Sequence, residues 1–180
     1  RESLYRFIGP PLHESYEKFY SFSREQAIQA VSYYREYYEE KGMFENEVYP
    51  GIKELLRVLT KQGILCLVAT SKPEIYAKKI LDYYKLRTYF HYIAGANMDG
   101  TRTDKAEVIA YALKQIPAEY NNKKILMVGD RSHDIIGAKK NGIDCAGVLF
   151  GYGSREELEE AGADFVADSV EAVRNIILLD

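Results

Sequence analysis

Three short stretches of this sequence combine side chains that could bind a phosphate group and a cation. In Thr70-Ser71-Lys72-Pro73 a hydroxyl group precedes a predicted helix, whose free backbone N–H groups can bind an anion. Lys105, early in another predicted helix, could neutralise anionic oxygens. In Gly129-Asp130-Arg131-Ser132-His133-Asp134 the two carboxylates suit a hard cation, and Mg²⁺ is the usual one beside phosphate. These residue types favour chemistry on a phosphate ester.

Each stretch also has an ordinary structural explanation. Thr70-Ser71 could cap a helix, Lys105 could be a solvated surface lysine, and Gly129-Asp130 could be a turn with an N-cap. Their order along the chain favours the functional interpretation, because each follows an apolar run that resembles a strand. In parallel α/β sheets, ligands bind outside the carboxyl ends of the strands. We therefore expect one site to be built from Thr70, Ser71, Lys105, Asp130 and Asp134.

The chain from about residue 49 onward alternates between short apolar runs and helical patterns. Strands are predicted at residues 64–69, 92–96, 125–128, 145–150 and 165–167. Helices are predicted over 52–62, from Pro73, over 104–115, up to Gly142, after a capping box of Ser154 and Glu157, and from about Val170. Short apolar strands separated by helices are typical of a parallel sheet covered on both faces. We predict an α/β core over residues 49–180.

The residues before this core have no strand pattern. Two helices are predicted between residues 12 and 42, and a capping box of Ser23 and Gln26 marks the start of the second. Gly42 is predicted to end that helix. Residues 1–48 are therefore expected to form a small helical unit ahead of the core.

The composition excludes several classes of protein. Hydrophobic residues make up 47% of the 180 positions, charged residues 28%, and the net charge is −3, as in an ordinary globular protein. Mixed charges of this size predict no nucleic-acid partner, and short apolar runs without a signal pattern predict no membrane span and a cytoplasmic protein. Cys66 and Cys145 each lie in an apolar run and are expected to be reduced core thiols.

Taken as a set, the three stretches resemble motifs II, III and IV of the haloacid dehalogenase (HAD) superfamily. The matching residues are Val68-Ala69-Thr70-Ser71-Lys72-Pro73, then Lys105, then Val128-Gly129-Asp130 and Asp134. Two further segments are similar to the phosphoglycolate phosphatase branch, which stands beside pyrophosphatases and 5′-nucleotidase-like enzymes: Ile8-Gly9-Pro10-Pro11-Leu12 and Gly151-Tyr152-Gly153-Ser154. The resemblance implies a Rossmann-like, doubly wound, mostly parallel sheet with a small helical cap domain, here the partial cap of residues 1–48.

The resemblance also implies an activity and a role for each residue. The activity is Mg²⁺-dependent hydrolysis of a small phosphorylated metabolite through an aspartyl-phosphate intermediate. Thr70 and the Ser71 backbone would hold the phosphoryl group, Lys105 would neutralise its charge, and the Mg²⁺ ligands would be Asp130 and, directly or through water, Asp134. Phosphoglycolate is the favoured substrate, a nucleoside 5′-monophosphate is close behind, and pyrophosphate comes third. A monomer or homodimer is expected.

The sequence departs from the family pattern at its first motif, a strand that ends in Asp-x-Asp. No such strand precedes Arg1, and we expect the natural chain to supply it upstream, within roughly 25–40 further residues by ordinary strand and loop lengths. In the family this strand lies between the strand that ends at Ala69 and the strand that ends at Val128. The core is therefore expected to lack its first strand, and this chain alone to be inactive. The alternative is a non-catalytic HAD-like protein that binds phosphate or has a regulatory role.

Overall fold

The structure is a computed structural model that describes Phe7 and residues 12–179. The segment Ile8-Gly9-Pro10-Pro11, quoted above for its family resemblance, lies outside the described residues. The chain divides into two compact units, Arg1–Glu47 and Val48–Asp180. No helix in the described part is both long enough and apolar enough to cross a membrane.

The first unit is helical, as the sequence predicts. Helix α1 spans Leu12–Tyr20 and helix α2 spans Arg24–Glu40, followed by a 3-10 turn at Gly42–Phe44. The predicted capping box is confirmed, since Ser23 Oγ accepts the backbone N–H of Gln26 at 3.3 Å and Gln26 Oε1 accepts that of Ser23 at 2.9 Å. Helix α2 ends slightly earlier than predicted, with Lys41 rather than Gly42 as its C-cap.

The second unit has the α/β class that the sequence predicts. Its strands are β1 (Leu67–Pro73), β2 (Tyr92–Ala96), β3 (Leu126–Gly129), β4 (Asp144–Val148) and β5 (Phe165–Ala167). Its helices are α3 (Ile52–Lys61), α4 (Glu74–Tyr83), α5 (Lys105–Leu113), α6 (Ser132–Lys140), α7 (Arg155–Glu160) and α8 (Val170–Leu179), with 3-10 turns at Arg87–Tyr89 and Ala118–Tyr120. Helix and strand alternate along the chain, and every strand pair is parallel.

Within the described residues the strands form two sheets, with the orders β1-β2 and β3-β4-β5. Helix α5 packs on β1 and β2, helix α6 packs on β3 and β4, and the two helices pack against each other. The two sheets therefore lie side by side. Because β1 pairs with β2 alone and β3 with β4 alone, each of these two strands has one edge without a partner in the described part of the chain.

Strands β1 and β3 are also less buried than their neighbours. Every residue of β2 and β4 after the first is buried, whereas every residue of β1 is only half-buried. In β3, Val128 is 37% exposed although its side chain is apolar. Strands inside an α/β layer are normally covered on both faces. Strands β1 and β3 are thus incompletely covered along their length.

Strand β1 differs from its prediction at both ends. It begins at Leu67 rather than at Ile64, and Ile64 and Cys66 pack against the hydrophobic cluster around Leu55, Leu59 and Val148. It continues to Pro73 because the chain bulges: Thr70 lies opposite Gly95 and Pro73 lies opposite Ala96. Ser71 and Lys72 are therefore extra residues on this side of the ladder, and Pro73 is the N-cap of α4 rather than its first residue.

The core beneath the second sheet depends on close packing between β4 and α7. Leu158 is fully buried, and a Cβ atom added at Gly147 would lie 2.8 Å from its Cδ1. The two cysteine thiols are free, and burial raises the pKa of both Cys66 and Cys145. Cys145 is buried and Cys66 is half-buried, and both pack in hydrophobic clusters, in agreement with the predicted core positions.

Replacing Leu158 with alanine should lower the free energy of unfolding by about 2–5 kcal/mol, because the cavity left against Gly147 cannot collapse fully. The control is Leu179→Ala, at a side chain that is 82% exposed, with an expected change within about 0.5 kcal/mol. Urea denaturation of the two variants measures both values. Equal effects would show that this cluster does not stabilise the sheet.

Candidate active site

The end of β1 carries the first predicted stretch in a compact turn. The hydroxyl Oγ1 of Thr70 accepts the backbone N–H of Lys72 at 3.2 Å, within the bulge that separates these residues from the regular ladder. Thr70, Ser71 and Lys72 are half-buried, and burial lowers the pKa of Lys72. No role was predicted for Lys72, although its place beside Thr70-Ser71 was a signal. Desolvation of this kind disfavours the charged form of a lysine.

Lys105 connects the first stretch with the third. It is the first residue of α5, whose N-cap Asp104 accepts the backbone N–H of Ala106 at 2.8 Å. Its Nζ lies 3.2 Å from the carbonyl oxygen of Ala69 in β1 and 2.7 Å from Oδ1 of Asp134 in α6. The side chains of Lys105 and Asp134 are only 14% and 8% exposed. One ammonium group therefore joins the end of β1 to the start of α6.

Asp134 is fixed by backbone hydrogen bonds as well as by Lys105. Its Oδ2 accepts the N–H groups of Asp130 and Arg131, both at 3.1 Å. Both carboxylate oxygens of Asp134 are thus occupied, one by the ammonium group and one by the turn after β3. This geometry places Asp130, Asp134 and Lys105 in one cluster at the carboxyl end of β3.

Asp130 is held by the loop that follows β4. Its Oδ2 accepts the backbone N–H of Tyr152 at 2.9 Å, and its carbonyl oxygen accepts that of Gly153 at 2.9 Å. A Cβ atom at Gly151 would overlap the Asp130 side chain, and one at Gly153 would overlap its carbonyl oxygen. Glycine at these two positions lets the loop backbone close around Asp130. The sequence identified this Gly-Tyr-Gly segment only through its family resemblance.

The carboxylate of Glu157 binds other groups than the capping box predicts. Ser154 is the N-cap of α7 and accepts the N–H of Glu157 at 3.2 Å, which is half of the predicted capping box. The carboxylate of Glu157 completes no box. Its Oε1 instead accepts Nε of Arg131 at 2.9 Å and the backbone N–H of Ser132 at 2.8 Å.

This carboxylate ties α7 to the start of α6. Desolvation raises the pKa of Glu157, but the hydrogen bonds from Ser132 and Arg131 outweigh it, and the net pKa is below the ordinary value. The Nε of Arg131 is bound to Glu157, and His133 is exposed.

Asp130 and Asp134 could bind Mg²⁺ as a pair of carboxylates, without a complete set of protein ligands around the ion. Among the described residues, no group of three or more His, Cys, Asp or Glu side chains is arranged to hold a metal ion. Mg²⁺ commonly takes only one or two carboxylates and completes its shell with water and phosphate oxygens. The hydrogen bonds of Asp130 given above use Oδ2 and leave Oδ1 for a cation, whereas Asp134 is occupied on both oxygens. The pair therefore suits direct binding through Asp130.

Comparison with known proteins decides the family. The family model described as haloacid dehalogenase-like hydrolase matches residues 1–148. This chain belongs to the haloacid dehalogenase-like hydrolases. The parallel α/β fold and the three stretches that resemble motifs II, III and IV agree with that membership.

Several relatives of this HAD-like hydrolase have been named. It is 39% identical to a 5′-nucleotidase of Pseudomonas aeruginosa over 176 residues, which are 97% of this chain and 78% of the relative. It is 38% identical to the tyrosine-protein kinase PtkA of Mycobacterium tuberculosis over 88% of this chain but only 53% of the kinase. A phosphoglycolate phosphatase of Vibrio vulnificus is 28% identical over 96% of this chain and 75% of its own length.

The solved structures agree with the fold. A crystal structure described as a predicted phosphatase from Clostridium acetobutylicum superimposes with a TM-score of 0.90 at 45% sequence identity. The match covers 99% of this chain and 82% of that chain. The Rossmann-like fold expected from the resemblance is therefore confirmed.

Gly151→Ala should displace Asp130, because the new methyl group would overlap its side chain. We expect a loss of about 1–3 kcal/mol of stability and altered NMR amide shifts at Tyr152 and Gly153, which bond to Asp130. Gly142→Ala is the control, since its left-handed backbone costs a similar stability but its surroundings are open. Unchanged NMR amide shifts in Gly151→Ala would contradict the close approach of this loop to Asp130.

Glu157→Gln should make stability less dependent on acid pH. A carboxylate whose pKa is lower in the folded state adds stability above its ordinary pKa of 4.5, and that stability is lost as the pH falls toward the folded value. We expect the variant to be less stable by roughly 1–2 kcal/mol at pH 7, with the gap closing below pH ~4. Urea denaturation at pH 7, 4.5 and 3 measures this difference. Glu171→Gln, in an exposed pair with Arg174, should leave stability unchanged.

Proposed function

We propose that this HAD-like hydrolase is a Mg²⁺-dependent phosphatase that hydrolyses a small phosphomonoester. The observation that carries the proposal is the position of Lys105 Nζ, which lies 3.2 Å from the Ala69 carbonyl oxygen and 2.7 Å from Asp134. This one cation links the hydroxyl-bearing turn after Ala69 to the carboxylate pair after β3. Phosphoryl transfer depends chiefly on positioning and on neutralising the charge of the phosphoryl oxygens. The cluster provides groups for both tasks.

In the proposed site the phosphoryl group is held between the two sheets' carboxyl ends. Thr70 and the backbone N–H of Ser71 bind its oxygens, with the N-terminus of α4 directly after them. Lys105 neutralises the negative charge that these oxygens carry. The partial burial of Lys105 strengthens its interaction with an anion, because less water screens the charge.

Asp130 and Asp134 would hold Mg²⁺, with Asp130 as the direct ligand and Asp134 acting directly or through water. Bound there, Mg²⁺ supplies positive charge to the phosphate oxygens. The protein's own part is to keep Asp130 in place: the N–H of Tyr152 binds its carboxylate, and the N–H of Gly153 binds its backbone carbonyl oxygen. Glu157 supports the same turn from the other side by binding Arg131 and Ser132.

The proposed nucleophile is an aspartate on a strand between β1 and β3. Support comes from the unpaired edges of these two strands and from their partly exposed apolar side chains. An extended segment there would satisfy the free backbone groups of both edges. Its carboxylate would attack phosphorus while the ester oxygen leaves with a proton, and water would then release inorganic phosphate and restore the aspartate.

For the substrate, we place a nucleoside 5′-monophosphate ahead of phosphoglycolate. The sequence motifs favoured phosphoglycolate, but the relative named a 5′-nucleotidase is 39% identical and the one named a phosphoglycolate phosphatase is 28% identical. Pyrophosphate remains the third candidate. The proposal gives residues 1–48 the role of the cap domain of this family. A cytoplasmic monomer or homodimer that binds neither nucleic acid nor membranes completes the proposal.

Two other functions use the same residues differently. The similarity to the kinase PtkA favours a variant reaction in which a tyrosine hydroxyl, instead of water, accepts the phosphoryl group. A non-catalytic HAD-like protein that binds or senses phosphate would need the phosphate contacts of Thr70, Ser71 and Lys105 but would not hydrolyse a substrate. Analysis of the products that the protein forms distinguishes both of these functions from a phosphatase.

The test is phosphate release by the natural full-length protein, with Mg²⁺ and with EDTA. The substrates are nucleoside 5′-monophosphates, phosphoglycolate, pyrophosphate and sugar phosphates, and a further assay supplies ATP and a tyrosine peptide. We expect Mg²⁺-dependent release from a monoester. Phosphotyrosine without free phosphate would support the kinase, and binding of phosphate without any turnover would support the non-catalytic protein.

Asp130→Asn should raise the Mg²⁺ concentration for half-maximal activity at least tenfold, because a neutral amide is a weaker ligand for a hard cation. Lys105→Ala should lower kcat by about 10²–10³-fold through loss of charge stabilisation. His133→Ala is the matched control, since this residue lies at the start of α6, between Asp130 and Asp134 in sequence, but is exposed, and the activity of the variant should not change. An unchanged Mg²⁺ titration in Asp130→Asn would refute the metal assignment.

A further inference from the structure

The loop that joins β2 to α5 contains a residue in an unfavourable backbone conformation. Arg102 has φ +50°, in the left-handed region that side chains other than glycine rarely adopt. It stands three positions before Lys105. Such conformations persist only where surrounding contacts hold them, and they are frequent at functional sites. The contacts of the Arg102 side chain are therefore of interest.

The Arg102 guanidinium group is held by three different elements. Its Nε donates to the carbonyl oxygen of Gly95 in β2 at 2.9 Å, and Nη2 donates to Oε2 of Glu74 in α4 at 3.2 Å. Its central carbon lies 3.8 Å from the centre of the Tyr111 ring in α5, a close cation–π contact. The side chains of Arg102 and Glu74 are 19% and 21% exposed.

The partner of Arg102 is itself fixed at the start of α4. Glu74 is the first residue of that helix, and its Oε2 also accepts the backbone N–H of Gly95 at 3.4 Å, while Oε1 binds Lys78 at 2.6 Å. A Cβ atom at Gly95 would lie 2.6 Å from the backbone N and Cα of Glu74. The end of β2 and the start of α4 are thus in direct backbone contact, and Arg102 binds across this junction.

This arrangement joins the two elements that carry the proposed phosphate contacts. Helix α4 begins directly after Thr70-Ser71-Lys72-Pro73, and helix α5 begins with Lys105. Arg102 binds Glu74 at the start of α4 and contacts Tyr111 within α5. A shift of the loop would therefore move Lys105 relative to the turn formed by Thr70 and Lys72 at the end of β1.

We propose that Arg102 is a positioning residue for phosphoryl transfer. It does not contact the reacting group, and it holds the loop so that Lys105 Nζ remains between the Ala69 carbonyl oxygen and Asp134. This inference rests on the proposed function, because its consequence for catalysis requires that Lys105 binds the phosphoryl group. The contacts themselves are independent of that function.

Lysine could replace only part of this contact set. An ammonium group could bind Glu74, but it lacks the planar fork that reaches the Gly95 carbonyl oxygen and Glu74 at once while its face stacks on Tyr111. Elsewhere, Arg87 forms an exposed pair with Asp82, at side-chain exposures of 48% and 54%. That pair offers a matched control for the loss of an arginine in the same unit.

The experiment compares Arg102→Ala, Arg102→Gly, Arg102→Lys and Arg87→Ala in the natural full-length protein. We expect Arg102→Ala to lower kcat by about 10- to 100-fold with KM changed less than about threefold, since a displacement of a catalytic group near 1 Å has effects of this size. Arg102→Lys should recover part of kcat, and Arg87→Ala should match the unsubstituted protein. Arg102→Gly accepts the left-handed backbone without strain, so its activity isolates the side chain.

Amide hydrogen exchange gives a second measurement that does not depend on activity. We expect faster exchange at Gly95 and Asn97, whose N–H groups bond to Glu74 and to the Thr101 carbonyl oxygen, in Arg102→Ala and Arg102→Gly but not in Arg87→Ala. Full activity in Arg102→Gly, or faster exchange with unchanged kcat, would overturn the positioning role. If the unsubstituted protein hydrolyses no substrate, the proposed function fails, and unchanged exchange would separately overturn the contact between loop and helix.

Discussion

The ion pair between Lys105 and Asp134 is the interaction on which the rest of the site depends. Both groups are largely buried, and a buried charge is tolerated only with a close partner and further hydrogen bonds. Asp134 obtains these from the turn after β3, and Lys105 obtains one from the Ala69 carbonyl oxygen. Gly137 makes room for the pair, since a Cβ atom there would lie 2.9 Å from Cγ of Lys105. The pair thereby fixes the packing of α5 on α6.

The contacts around this pair are mostly between the backbone and a carboxylate. Asp130, Asp134 and Glu157 each accept backbone N–H groups from segments distant in sequence or from the adjacent turn. Such bonds orient the carboxylates before any ligand is present, which reduces the reorganisation that binding requires. Glycine at 151 and 153 is necessary for the same reason, because only an uncovered backbone can approach Asp130 closely. The site is therefore preorganised around its acidic side.

Strands β1 and β3, by contrast, are incompletely paired and incompletely covered. Their unpaired edges and partly exposed apolar residues, Val128 among them, are features that a folded α/β layer normally avoids. The ion pair lies at the carboxyl ends of these same strands. A strand that joined the two sheets parallel to β1 and β3 would end near Lys105, which is where the proposed nucleophile would act.

The sequence alone determined the features that depend on local patterns. The alternation of strands and helices, the capping box of Ser23 and Gln26, and the place of the three stretches at strand ends follow from periodicity and short spacings. The partners of Glu157 and Arg102 were decided only by the tertiary structure, because Arg131 is 26 and Glu74 is 28 residues away from them. A local pattern states which groups could cap a helix. It cannot state which distant donor a carboxylate will meet once the layers pack.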